Sequence, residues 1–183
     1  MIYSVDLKTT GFITGTVLLI AHVLALISGP KVVGVLKDFP RSKSAGIGLL
    51  TVAGLWSFLL IRFMDLGEFS HLRPLLSIVI PAAYVLTLFF VDEFLAVRAL
   101  GMVVLLLACV LLDSAFLKPD ISRLVLVTLA YVWIIAALFW IGKPYLLRDQ
   151  IEWVTAKTGR FQLAAIFGAA YGAVLLFLAA TRY

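Results

Sequence analysis

Residues 64 to 74 read MDLGEFSHLRP, a polar stretch between two long apolar runs that gathers Asp65, Glu68, His71 and Arg73. Carboxylates and an imidazole bind divalent metals or move protons, and here they recur at every third position. Glu68-x-x-His71 has the spacing with which di-iron helical bundles present two ligands. A self-contained di-iron centre needs a second such pair, and the chain has only two histidines. One chemical reading is a single divalent ion held by Asp65, Glu68 and His71, with Asp113 or Asp120 added; another makes the same three residues catalytic. The spacing argues against both, because Asp65 and His71 diverge by about 120° on a regular helix. Gly67 and Pro74 also oppose a long helix here. The stretch reads as a solvated, headgroup-contacting loop in which Arg73 meets a carboxylate, and no metal site is assigned to it.

Three further polar residues lie inside apolar runs. His22 falls about 16 Å of helix into the first run, near a bilayer midplane, where a polar group is costly and a functional role is the default hypothesis. A proton, a haem iron or a substrate would suit it. A bis-histidine haem would need His71, roughly half a bilayer away, so no cofactor is assigned. The plainer alternative is a neutral imidazole bonded to Tyr84, Thr87 or Tyr131 of a neighbouring helix. Arg98 and Asp113 sit near opposite ends of one run, about 22 Å apart along the axis and about 60° apart around it. They share a face but cannot pair. Arg98 can snorkel or meet Asp92 or Glu93, while Asp113 can meet Lys118, Arg123 or Arg62. Together His22, Arg98 and Asp113 are the candidates for a transport path.

The elements that must position these groups follow from composition. Of 183 residues, 63% are hydrophobic and 14% charged, with a mean hydropathy of +1.13, against about 45–50% apolar and about 25% charged in a soluble domain. Six apolar runs, 10 to 28, 46 to 63, 74 to 91, 94 to 117, 124 to 142 and 161 to 180, each approach the length of about 20 residues that crosses a bilayer. They are continuous rather than alternating, which excludes barrel strands. The first run is too long for a signal peptide and reads as a retained helix. Cys109 is the single cysteine, so there is no disulfide framework or cysteine metal site. The expected fold is an all-α integral membrane protein, one domain from residue 1 to 183, with about six transmembrane helices in a bundle.

An even number of spans puts both termini on one side. Nine of the 15 basic residues then fall on the opposite, elbow side and six on the terminal side. The positive-inside rule places the elbows in the cytoplasm and the termini outside, in a bacterial inner membrane. The two elbows, GPKVVGVLKDFPRSKSAG and GKPYLLRDQIEWVTAKTG, space Val32, Val35, Leu36 and Phe39, and Leu147, Ile151 and Val154, at helical intervals. They read as short amphipathic interfacial helices. Their basic residues suit anionic lipid headgroups, with no nucleic acid as partner. At an offset of 114 positions the elbows align Pro30 with Pro144, Asp38 with Glu152 and Lys43 with Lys157. A duplicated unit would do this, and so would the shared composition of two basic elbows.

Small residues let helices approach closely in lipid. Gly11 and Gly15, and Gly168 and Gly172 with Ala164 extending them, form two such stripes, facing another span or a second copy of the chain. No nucleophile elbow, phosphate loop or zinc-protease motif occurs. The leading functional expectation is a non-enzymatic structural or accessory subunit of a membrane complex. The alternatives are a homo-oligomeric transporter or channel for a small solute, ion or proton, and a membrane enzyme acting on lipid or quinone.

Overall fold

The computed structural model describes every residue except Met1, Ile2, Ser4 and Asp92. It is all-helical, 87% of the chain lying in helix. Eight α-helices follow one another among the described residues: α1 (Leu7–Ile27), α2 (Gly29–Asp38), α3 (Lys43–Phe63), α4 (Arg73–Phe90), α5 (Leu95–Ala115), α6 (Arg123–Gly142), α7 (Tyr145–Thr155) and α8 (Thr158–Thr181). Six of them, all but α2 and α7, are long and apolar enough to cross a membrane. Their outer faces carry exposed Leu, Ile, Val and Phe along their lengths. A belt of that size is stable against lipid rather than water.

Three spans begin three residues before their apolar runs, at Leu7 in α1, Lys43 in α3 and Thr158 in α8. The leading turns are polar, so hydropathy misses them although the backbone is already helical. Ser42 caps α3 by accepting a hydrogen bond from the Ala45 N–H. Both elbows are helical, with Pro30 in the first turn of α2 and Pro144 at the N-cap of α7. The two short helices touch one another. A two-fold relation between the elbow units would make α3 pack on α6 as α1 packs on α8. Instead α5 stands between α3 and α6 and packs on both.

The helices form a row, α4, α3, α5, α6, with the α1 and α8 pair laid against it. The central helix α5 buries Val97, Ala99, Gly101, Ala108 and Leu111. Small residues line the contact with α6: Gly101 and Ala108 of α5 and Ala130 and Ala137 of α6 are all buried. Small side chains compensate for the missing hydrophobic drive between helices in lipid by letting backbones approach. At the other extreme, α4 has no buried residue and stands at the edge of the row.

The two glycine stripes face one another. A Cβ on Gly15 would lie 2.9 Å from the Gly172 carbonyl oxygen, and one on Gly172 would lie 2.7 Å from the Leu19 nitrogen. Their partner is therefore the other terminal span of the same chain. Ala164 does not extend this seam: it is exposed, and the buried line along α8 runs through Phe161, Ala165, Gly172, Leu175 and Ala179. Steps of four residues rotate about 40° away from a straight line, so a seam along a neighbouring helix alternates steps of three and four, which selects Ala165.

Candidate functional site

The loop that opened the sequence reading folds as a wet turn. Asp65 accepts from the Gly67 N–H at 2.9 Å, which holds Gly67 in the left-handed region at φ 52°. His71 Nδ1 donates to the Glu68 carbonyl at 3.0 Å, and Asp65, Glu68 and His71 are all exposed. Asp65 and His71 are thus engaged with the backbone of their own turn. No cluster of three potential metal ligands exists among the described residues. Arg73 is a correction to the sequence reading. Its Nη2 donates to the Met64 carbonyl at 2.8 Å rather than to a carboxylate. Met64 is the C-cap of α3, where unpaired carbonyls and the negative end of the helix dipole draw a cation.

The same device recurs. Arg123, the first residue of α6, donates to the Ala115 carbonyl at the end of α5 at 3.0 Å. Arg98, one turn into α5, donates to the Ile141 carbonyl near the end of α6 at 3.2 Å. The antiparallel pair α5 and α6 is thus closed at both ends by reciprocal arginine caps. The sequence left Arg98 to snorkel or to meet Asp92 or Glu93; Asp92 lies outside the described residues, and the bond observed is to the Ile141 carbonyl. An arginine in the first turn after a short connection was the available signal.

Asp113 also departs from expectation. Its Oδ2 accepts from the Tyr3 backbone N–H at 2.8 Å, while Lys118 pairs with Asp6 at 2.9 Å and Arg123 caps α5. Tyr3 in turn accepts from Trp56 Nε1 at 2.9 Å, edge-on to that ring. Tyr183 donates to the Ser122 carbonyl at 2.9 Å and Tyr171 to the Val125 carbonyl at 2.7 Å. Both chain ends are therefore tied to the same end of α5 and α6, as an even number of spans demands.

His22 lies in the α1/α8 seam with its ring against the Gly168 backbone, filling the space a Cβ there would need. Its Nδ1 sits 2.7 Å from the Leu18 carbonyl, which can only accept, so Nδ1 carries a proton. The partner is a carbonyl of its own helix, not Tyr84, Thr87 or Tyr131. Because α1 already starts at Leu7 and ends at Ile27, His22 is about 7.5 Å from the elbow end and about as far from the middle of the helix, halfway between surface and midplane. His22, Arg98 and Asp113 thus occupy three places: the α1/α8 seam, the elbow end of α5/α6, and the terminal end of α5 beside Tyr3.

An apolar cleft of about 390 Å³ lies between α3, α4 and α5, and its walls include Ala53, Gly54, Ser57, Ala83, Tyr84 and Thr87. Tyr84 holds its two outer walls together. Its ring rests on Gly54, where a Cβ would come within 3.2 Å, and its hydroxyl is 2.9 Å from Thr51 Oγ1. Thr51 donates its own proton to the Ile47 carbonyl at 2.8 Å, so the Tyr84 hydroxyl is the donor between them. Neither His22, Arg98 nor Asp113 lines this cleft. No protein-family model, curated protein or solved structure matches the chain, so its chemistry is read from this geometry.

Proposed function

We propose that this chain is a non-enzymatic structural or accessory subunit of a membrane complex, and that the α3–α4–α5 cleft receives a transmembrane helix of its partner. The observation that carries this reading is the lining of the cleft. Ala53, Gly54, Ser57 and Ala83 keep side-chain bulk away from the opening, and Ser57, Tyr84 and Thr87 place hydroxyls in it. Small residues and hydroxyls are the surface with which helices associate in lipid. The edge helix α4, with no buried residue of its own, gains burial from such a partner. The titratable side chains near the span ends support the same reading, because they cap helices and tie down termini.

In this reading the chain sits in a bacterial inner membrane with its elbows in the cytoplasm, where nine basic residues face the anionic leaflet, and its termini outside. The test is a photo-crosslinker at Ala83, with the exposed Leu163 of α8 as control, in chain released gently from its own membrane. The expected result is one stoichiometric membrane protein, crosslinked through a transmembrane segment at Ala83 and not at Leu163, and lost when Ser57→Phe fills the cleft. Recovery of the chain alone, or of copies of itself only, would overturn the proposal.

A further inference from the structure

A second cavity, of about 560 Å³, opens at the terminal end of α5 and α6. Unlike the α3–α4–α5 cleft it brings charge and apolar surface together in one space. Lys118 and Arg123 stand in its wall with Leu112, Leu124, Val127 and Tyr131. Phe116 and Leu117 form an exposed apolar lip, Leu117 being one of the two non-glycine residues at positive φ among the described residues. From these we infer that the cavity is a binding site for one anionic glycerophospholipid.

The charges match that ligand. Lys118 and Arg123 face the cavity, and the carboxylate that meets them is Asp6, paired with Lys118 at 2.9 Å. Asp120 lies exposed in the same connection, its carbonyl accepting from the Arg123 N–H. Lys118 and Arg123 are the charged residues of its lining, and with Lys118 paired to Asp6 it is Arg123 that is left to complement a phosphodiester. Arg123 uses Nη1 on the Ala115 carbonyl at 3.0 Å, so the rest of its five-donor fork is available to phosphate oxygens. Both cations belong to the ends of membrane-spanning helices, the level at which headgroups lie.

Tyr131 supplies the second contact. It lies about 12 Å along α6 from Arg123, and a helical side chain leans back toward the N-terminus of its helix, here toward the cations. Its side chain is more than half exposed, and it makes no hydrogen bond among the described residues. In an apolar medium a phenol needs an acceptor. The ester carbonyls of a glycerophospholipid lie just inside its phosphate, where that hydroxyl reaches. Leu112, Leu124 and Val127 form the apolar wall between the cations and Tyr131. Phosphate and ester thus each find a partner in one cavity.

The site has a two-part signature. Full-length chain is placed in nanodiscs of equimolar phosphatidylglycerol and phosphatidylcholine, and lipid retained on transfer to detergent is counted by native mass spectrometry. Wild type is expected to retain one phosphatidylglycerol per chain. Lys118→Gln is expected to lower phosphatidylglycerol retention about fivefold and phosphatidylcholine, whose choline offsets the phosphate charge, by less. Tyr131→Phe is expected to lower both lipids alike, because both carry the ester. Arg62→Gln, which removes an exposed terminal-side cation outside the cavity, is expected to do neither. Equal loss of phosphatidylglycerol from Arg62→Gln and Lys118→Gln would reduce the effect to net charge and overturn the proposal. So would retention unchanged by Lys118→Gln, or by Tyr131→Phe. The cavity is distinct from the cleft offered to a partner helix, so either proposal fails without the other.

Discussion

Gly172→Ala adds one methyl group where α1 and α8 touch through backbone. The new Cβ would meet the Leu19 nitrogen at 2.7 Å and the Gly15 oxygen at 2.8 Å. Neither atom is the free end of a side chain, so the helices themselves must part until the closest gap reaches the 3.4 Å of ordinary contact. Alanine also raises helix propensity by up to about 1 kcal/mol over glycine, which would mask part of the steric cost. Gly48→Ala in α3 removes that ambiguity, because its Cβ enters open space and reports propensity alone. Overpacking costs about 1–3 kcal/mol, so Gly172→Ala should be less stable than Gly48→Ala by that amount, roughly fivefold to 150-fold in the folding equilibrium. The assay is equilibrium unfolding in mixed micelles, mild detergent titrated with dodecyl sulfate, followed by circular dichroism. Gly15→Ala meets the Gly172 oxygen at 2.9 Å and should behave alike. The double variant should cost less than the sum, since one separation of the helices relieves both clashes. Gly11→Ala meets mainly the Tyr183 ring, at 2.9 Å, and should be milder because that ring can turn. Stability of Gly172→Ala equal to that of Gly48→Ala would refute backbone contact as the basis of the seam.

The arginine caps and the terminal ties make two further predictions. Arg98→Met removes the charged donor from the Ile141 carbonyl and should cost about 1.5–3 kcal/mol; amide exchange should quicken in the last turn of α6 and stay unchanged in α8, whereas uniform quickening would deny the cap. The hydrogen bond from Lys118 holds the Asp6 carboxyl below its usual range. A carboxyl lowered by folding stabilises the folded state in full above its unfolded value of about 3.9, and that contribution is lost as pH falls through the lower folded value. Carbon-detected titration of Asp6 should show the lowered midpoint, and Lys118→Gln should return it to the ordinary range. A midpoint unmoved by that substitution would rule out the pair as its cause. The contribution is small, because the Asp6 side chain is 58% exposed.

Composition was enough for the class of molecule: continuous apolar runs of span length admit helices and little else. Turn chemistry was equally local, and Asp65, Gly67, Glu68 and His71 form the solvated turn their types suggested. The glycine stripes announced close contact, since their spacing is a property of one helix. What they contacted was decided only by tertiary structure, because a stripe records how near a neighbour comes and nothing about which helix it is. The same limit explains Arg73, Arg98 and Arg123. Their partners are backbone carbonyls at the ends of neighbouring helices, and a carbonyl has no letter in the sequence. Asp113 was misread for that reason too, its donor being the Tyr3 backbone N–H. The cavity that joins Lys118 and Arg123 to Tyr131 exists because α5 and α6 lie antiparallel and side by side; a linear chain displays the three residues but not the space between them.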